Sequence, residues 1–200
     1  SLTATDDKMD FLYLKKNLKR DFSALPVTRV ALLGDSATQL LAQALRGYGY
    51  EVGMNLTLFE ADYDQIERQI FDASSDLYRF EPEYVVLFCS TQKLMNTFYA
   101  LGSVERSTFA DREIEKLESL CEAIASQRLC TVFYCNFAEI DDGVFGSYAT
   151  KVETSFTYQL RKLNYALMHA SRRLKNLFIC DLSALHHYHG EKWAHDAKLY

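Results

Sequence analysis

The chain has 200 residues, 48% of them hydrophobic and 24% charged, with a formal net charge of −5. That length suits one domain able to bury a core without disulfides, and the composition is that of a globular protein. The acidic balance argues against nucleic acid and anionic membrane surfaces as partners, since both reward a basic face, and no apolar run reaches the ~18 residues of a membrane span.

The first ten residues, Ser1 to Asp10, are polar and acidic and lack the charged start and apolar centre of a secretory signal. The chain begins with serine rather than methionine, which leaves its natural ends open. Leu12 to Phe22 reads as an amphipathic helix, after which Pro26 restarts the chain. Val27 to Leu33 is a continuous apolar run that predicts a strand, and it ends abruptly in Gly34-Asp35-Ser36. Ala37 to Gly47 predicts a helix closed by Gly47 and Gly49. A strand over Gly53 to Phe59 and a helix over Tyr63 to Phe71 follow, then a strand over Tyr84 to Cys89 and a helix from Thr91 to Leu101. Arg112 to Gln127 is helical, with Ile114, Leu117, Leu120, Cys121 and Ile124 on one stripe. Leu129 to Cys135 is the fourth strand. Asn136 to Thr150 is the only long irregular stretch, and loops of that length in a compact domain are often functional. Val152 to Leu174 is a long amphipathic helix, and Leu177 to Leu182 is the fifth strand. There is no internal repeat or low-complexity tract. Alternating apolar strands and helices predict an α/β fold: a five-stranded parallel sheet covered on both faces, with right-handed crossovers.

In such sheets ligands bind at the carboxyl edge of the strands. The first strand delivers Gly34, Asp35 and Ser36 there, the second Glu60 to Asp64, the third Ser90, Thr91 and Gln92, the fourth Asn136 and the fifth Asp181. Acyl transfer needs a hydroxyl, a base and convergent oxyanion donors. Ser36 is the candidate nucleophile, and its position before a helix favours developing negative charge. The side-chain amides of Gln92 and Asn136 and the backbone N–H groups of Ser36 and Ala61 are candidate donors. Asp35 and Asp181 are candidates for orienting the base. Other readings stand beside these. Asp35 or Ser36 suits a helix cap, Gly34 a tight turn, Gln92 a helix start and Asn136 a loop, while Glu60 to Asp64 resembles a solvated helix start.

His186, His187, His189 and His195 crowd the last fifteen residues, with Trp193 and Asp196 among them. Histidine is the usual general base near neutral pH, so His189 and His195 are the candidate bases. His187-x-His189 lacks a third spaced ligand, and no metal is expected. His169 lies inside a predicted helix and reads as structural. The first strand-helix turn lacks a Gly-x-Gly-x-x-Gly pattern, and Asp35 there would repel a phosphate, so no nucleotide or other cofactor is expected. The five cysteines, Cys89, Cys121, Cys130, Cys135 and Cys180, form no Cys-x-x-Cys pair. They read as buried free thiols of a cytoplasmic protein.

Gly34-Asp35-Ser36 after the first strand resembles the first motif of the SGNH (GDSL-like) hydrolases. A wider set resembles the N-terminal domain of FkbH-like proteins, the HAD-superfamily subfamily IIIC. It comprises Asn17-Leu18-Lys19-Arg20, Val30 through Gln39, Phe59-Glu60-Ala61-Asp62-Tyr63-Asp64-Gln65-Ile66, Val85-Val86-Leu87-Phe88, Ser90-Thr91, Asn136-Phe137 and Phe145-Gly146. Trp193, Asp196, Lys198 and Tyr200 complete it. The resemblance implies a three-layer, flavodoxin-like α/β/α fold, with residues 1–200 as one SGNH-like domain. In FkbH-like proteins a HAD-type domain commonly follows, which here would lie beyond Tyr200; the chain has no Asp-x-Asp-x-Thr motif. It also implies an ester- or thioester-directed hydrolase or acyltransferase working with an acyl carrier protein, or a binding module that docks that carrier or the HAD-type domain. Matched to the family motifs, Ser36 is the nucleophile, Ala61 stands where a glycine is usual, and Ser90-Thr91-Gln92 replaces Gly-x-Asn-Asp. The usual Asp-x-x-His is absent, since Asp196 is followed three residues later by Leu199. Lys15, Lys16, Lys19 and Arg20, or Arg172, Arg173 and Lys175, would supply the basic patch that an acidic carrier protein requires.

Overall fold

The first strand explains the architecture. Ala31, Leu32 and Leu33 have no exposed surface, so both faces of β1 (Val27–Gly34) are covered and the strand must be central. The computed structural model describes residues 10–184. β1 pairs in parallel with β2 (Asn55–Glu60) on one side and β3 (Tyr84–Phe88) on the other. β4 (Thr131–Cys135) and β5 (Leu177–Cys180) extend the sheet in the order β2-β1-β3-β4-β5, all parallel. This is the flavodoxin-like strand order, and its direction of winding reverses between β1 and β3.

Right-handed crossovers in opposite directions place helices on opposite faces. α1 (Phe11–Asn17) and α2 (Gln39–Glu51) form one layer. α3 (Ile66–Phe71), α4 (Asp76–Arg79), α5 (Thr91–Ala100), α6 (Ser103–Arg106), α7 (Phe109–Gln127) and α8 (Phe156–Arg173) belong to the other. The main core lies under the second layer. Alternate strand residues Ala31, Leu33, Val85, Leu87, Val132 and Tyr134 meet Phe98, Phe109, Leu117, Phe156 and Leu160 there. Its buried glutamine is fully satisfied: Gln159 donates to the Ser107 and Glu153 carbonyls at 3.0 and 2.8 Å and accepts from Ala110 N–H at 2.9 Å. Among the described residues no helix is long and apolar enough to cross a membrane.

The expected strands and long helices are present, with several corrections. α2 starts at Gln39 rather than Ala37, with Thr38 as its cap position. It runs through Gly47 and Gly49 instead of stopping there. A Cβ on Gly47 would lie 2.1 Å from the Leu14 carbonyl oxygen, so this glycine lets α1 sit directly on α2. The Asn17 side chain pins the same contact by donating to the Gly47 carbonyl at 3.2 Å. α1 ends at Asn17, well short of Phe22. The single-turn helices α4 and α6 leave no periodicity in the sequence to detect. Within the long loop, Gly146–Lys151 forms a 3-10 turn, and Tyr99 hydroxyl ties the loop to the core by donating to Asp142.

Candidate functional site

The carboxyl edge of β1 and β3 is stitched by Asp35. Both carboxylate oxygens accept from the Ser90 N–H, at 2.9 and 3.1 Å, and Asp35 N–H donates to the Phe88 carbonyl at 3.2 Å. Lys93 Nζ donates to the Asp35 carbonyl and stands 3.8 Å from the centre of the Tyr63 ring. Partial burial raises the Asp35 pKa above the ordinary carboxylate range, against the opposing pull of the Ser90 N–H and Lys93. Asp35 therefore joins two strand ends across the switch point, and neither it nor Ser36 caps α2. The cap position, Thr38, directs its hydroxyl to Glu60 Oε1 at 2.9 Å. Gly34 is required by space: a Cβ there would meet Thr38 Cγ2 at 2.8 Å and the Phe88 carbonyl oxygen at 3.3 Å.

Ser36 follows directly. It is partly exposed, and among the described residues neither its hydroxyl nor its N–H has a hydrogen-bond partner. The other strand ends are more committed. Ala61 N–H donates to the Leu32 carbonyl at 3.3 Å, continuing the β1–β2 ladder instead of turning toward Ser36. Ser90 caps α5, its hydroxyl accepting from Lys93 N–H at 3.2 Å. Thr91 hydroxyl donates to the Ala138 carbonyl at 2.9 Å, and Gln92 Nε2 donates to Asn96 Oδ1 at 3.3 Å along the exposed side of α5.

At the far end of the edge, Asn136 and Asp181 form a clasp. Asn136 Nδ2 donates to Asp181 Oδ1 at 2.8 Å, and Asn136 Oδ1 accepts from Ser183 N–H at 3.0 Å. Asp181 Oδ1 also accepts from Ala184 N–H at 2.9 Å. The clasp therefore holds the chain where it leaves β5 and enters the histidine-rich segment. His186, His187, His189, Trp193, His195 and Asp196 lie outside the described residues. His169 is exposed in the last third of α8, stacked edge-on against Tyr165 with ring centres 4.8 Å apart. An α8 antiparallel to the strands puts it toward the opposite, amino edge.

Sequence reasoning missed a cavity of about 530 Å³ beside the switch point, between α3, α5 and α7. Its wall includes Asp35, Cys89, Lys93, Glu113, Lys116 and Tyr134, while Ser36 is not part of it. Burial raises the Glu113 pKa and pushes the Cys89 thiol up to about 12, helped by the Asp35 charge. Glu113 and Lys116 fall outside the apolar stripe read along α7, so only the packing reveals them. Among the described residues, no group of three His, Cys, Asp or Glu side chains is placed to hold a metal ion.

Residues 29–200 match the family model described as FkbH, N-terminal domain. The chain belongs to the FkbH N-terminal domain family. The crystal structure of the N-terminal part of the protein BF1531 from Bacteroides fragilis, described as containing a phosphatase domain complexed with Mg, superposes with a TM-score of 0.84 at 45% identity. The match covers 95% of this FkbH N-terminal domain and 50% of that chain, so the domain spans half the length of the solved relative. A putative acylhydrolase (BF3764) from Bacteroides fragilis aligns at a TM-score of 0.47 and 15% identity, over 84% of this chain and 74% of that one. That likeness is too weak to argue from. Among curated proteins none matches.

Proposed function

We propose that this FkbH N-terminal domain is an SGNH-type acyl hydrolase or acyltransferase that acts on an ester or thioester with Ser36 as nucleophile. One observation carries the reading: a serine hydroxyl and its own N–H, both without a partner among the described residues, stand together at the carboxyl edge beside the switch point. Ser36 Oγ attacks the acyl carbonyl while a histidine, His189 or His195, takes its proton. Ser36 N–H receives the oxyanion, joined by the amide of Gln92 once it leaves Asn96 and by the second hydrogen of Asn136 Nδ2, whose first stays on Asp181. The same histidine then protonates the departing thiolate or alkoxide, and water or an acceptor alcohol removes the acyl group. Asp35 holds the β1 and β3 ends together, and the Asn136–Asp181 clasp fixes the chain through Ala184, just before the histidine-bearing segment. The substrate in this reading is an acyl group on an acyl carrier protein.

A second reading rests on the missing Asp-x-x-His: residues 1–200 form one docking domain that binds an acyl carrier protein or a HAD-type phosphatase domain beyond Tyr200. The solved relative, described as containing a phosphatase domain, supports that arrangement. A fluorophosphonate probe separates the two. Labelling that disappears in Ser36→Ala supports chemistry; an unlabelled protein that nevertheless shifts its NMR resonances on addition of carrier protein supports docking.

A further inference from the structure

Two thiols face each other at the end of the sheet. Cys135 closes β4 and Cys180 closes β5, and the two are opposite partners in the parallel ladder. Neighbouring strands lie about 4.8 Å apart, inside the roughly 4.4–6.8 Å Cα separation that a disulfide spans. The register sets the two side chains on the same side of adjacent strands. The neighbouring Cys135 thiol lowers the Cys180 pKa to about 7, while the Cys180 thiol, then burial and Cys89, raise that of Cys135. Cys180 is partly exposed, whereas Cys135 is buried, with 6% of its surface exposed. The other cysteines differ. Cys121 is buried and pushed up to about 12, and Cys89 is pushed up to about 12 as well. Cys130 is buried and raised. An accessible, activated thiol with a second thiol in register is the arrangement of an attacking and a resolving cysteine.

We propose that Cys135 and Cys180 are a reversible dithiol–disulfide modification site, oxidised by hydroperoxides. The Cys180 thiolate attacks the terminal peroxide oxygen, the O–O bond breaks, and Cys180 becomes a sulfenic acid as alkoxide leaves, or hydroxide where the oxidant is hydrogen peroxide. The Cys135 sulfur then attacks the Cys180 sulfur, the S–O bond breaks, and water departs with the Cys135 proton. The two sulfurs are oxidised together and one peroxide is reduced. The new bond ties β5, which among the described residues has β4 as its one sheet neighbour, at the residues immediately before Asn136 and Asp181. Closure thus locks the base of the clasp. The inference is independent of any chemistry at Ser36. Disulfides of this kind in reducing compartments are redox-sensing rather than structural.

The intact protein is treated with hydrogen peroxide and its thiols are mapped by peptide mass spectrometry. The expected product is a Cys135–Cys180 linked peptide lighter by two hydrogens and restored by dithiothreitol. In Cys135→Ser, dimedone traps a sulfenic acid on Cys180; in Cys180→Ser neither link nor adduct forms. Without any variant, iodoacetamide at pH 7 alkylates Cys180 more than about tenfold faster than Cys89. A predominant link between another pair, both thiols still alkylatable after excess peroxide, or Cys180 reacting no faster than Cys89 overturns the proposal.

Discussion

Replacing Asp35 separates a strand-joining role from a catalytic one. In Asp35→Ala the Ser90 N–H loses both its acceptors, which stand at 2.9 and 3.1 Å. A hydrogen bond to a charged group is worth about 1.5–3 kcal/mol, and because Asp35 is partly exposed the lower part applies, about 1.5–2 kcal/mol. Asp35→Asn keeps an acceptor oxygen and removes the charge that burial disfavours. Its stability at pH 7 should stay within about 0.5 kcal/mol of the parent, as for changes that break no buried interaction. The pH dependence gives a second readout. Burial raises the folded-state pKa, so the folded protein binds more protons than the unfolded chain in the window above the ordinary carboxylate value of about 3.9. The Asp35 contribution is therefore full below that value and is lost as pH rises through the raised pKa. Between pH 4 and 7 the parent should lose stability relative to Asp35→Asn. Urea unfolding across this range measures both effects. Equal destabilisation by alanine and asparagine, or a parent that gains on Asp35→Asn as pH rises, would refute the reasoning. Asp35→Asn should also keep fluorophosphonate labelling of Ser36; its loss would mean that Asp35 orients the base.

Three further outcomes follow from the packing. Gly47→Ala places a methyl 2.1 Å from the Leu14 carbonyl oxygen, so α1 must move. Overpacking costs about 1–3 kcal/mol, and faster amide exchange confined to α1 should accompany the loss. Phe98→Ala removes a fully buried ring that contacts Phe109 and Phe156 at centroid separations of 5.3 and 5.4 Å. It should cost about 3–5 kcal/mol in denaturant unfolding. Asn136→Ala opens the clasp on Asp181 and Ser183. A loss of about 1.5–3 kcal/mol is expected, and probe labelling of Ser36 should slow while the far-UV spectrum stays unchanged.

Local pattern made the sheet legible. Val30-Ala31-Leu32-Leu33 is apolar throughout because both its faces are covered, and the strand ends then point directly to the carboxyl edge. Most of the stripe read along α7 is buried, although Ile114 is only partly so. Signals with distant causes mislead. Gly47 looks like a helix stop, yet it serves contact with α1, some thirty residues earlier. α2 begins two residues late, and the Thr38 hydroxyl at its cap position bonds Glu60 rather than the helix. The five cysteines were expected to be buried, but Cys89 and Cys180 are only partly so. In the site, the strand-end residues could be named from spacing alone. Their couplings could not, since Asp35 reaches Ser90 across 55 residues and Asn136 reaches Asp181 across 45. Likewise the cavity at Asp35 depends on how α3, α5 and α7 meet, which no single segment encodes.

The central claim is that Ser36 is a nucleophile activated by a histidine after β5. Fluorophosphonate labelling followed by peptide mapping, run from pH 6 to 9, tests it most directly. One modified residue is expected, Ser36, with a rate that rises as an imidazole deprotonates and falls when His189 or His195 is replaced. No label at any pH in that range, or a label on another residue that survives in Ser36→Ala, would contradict it.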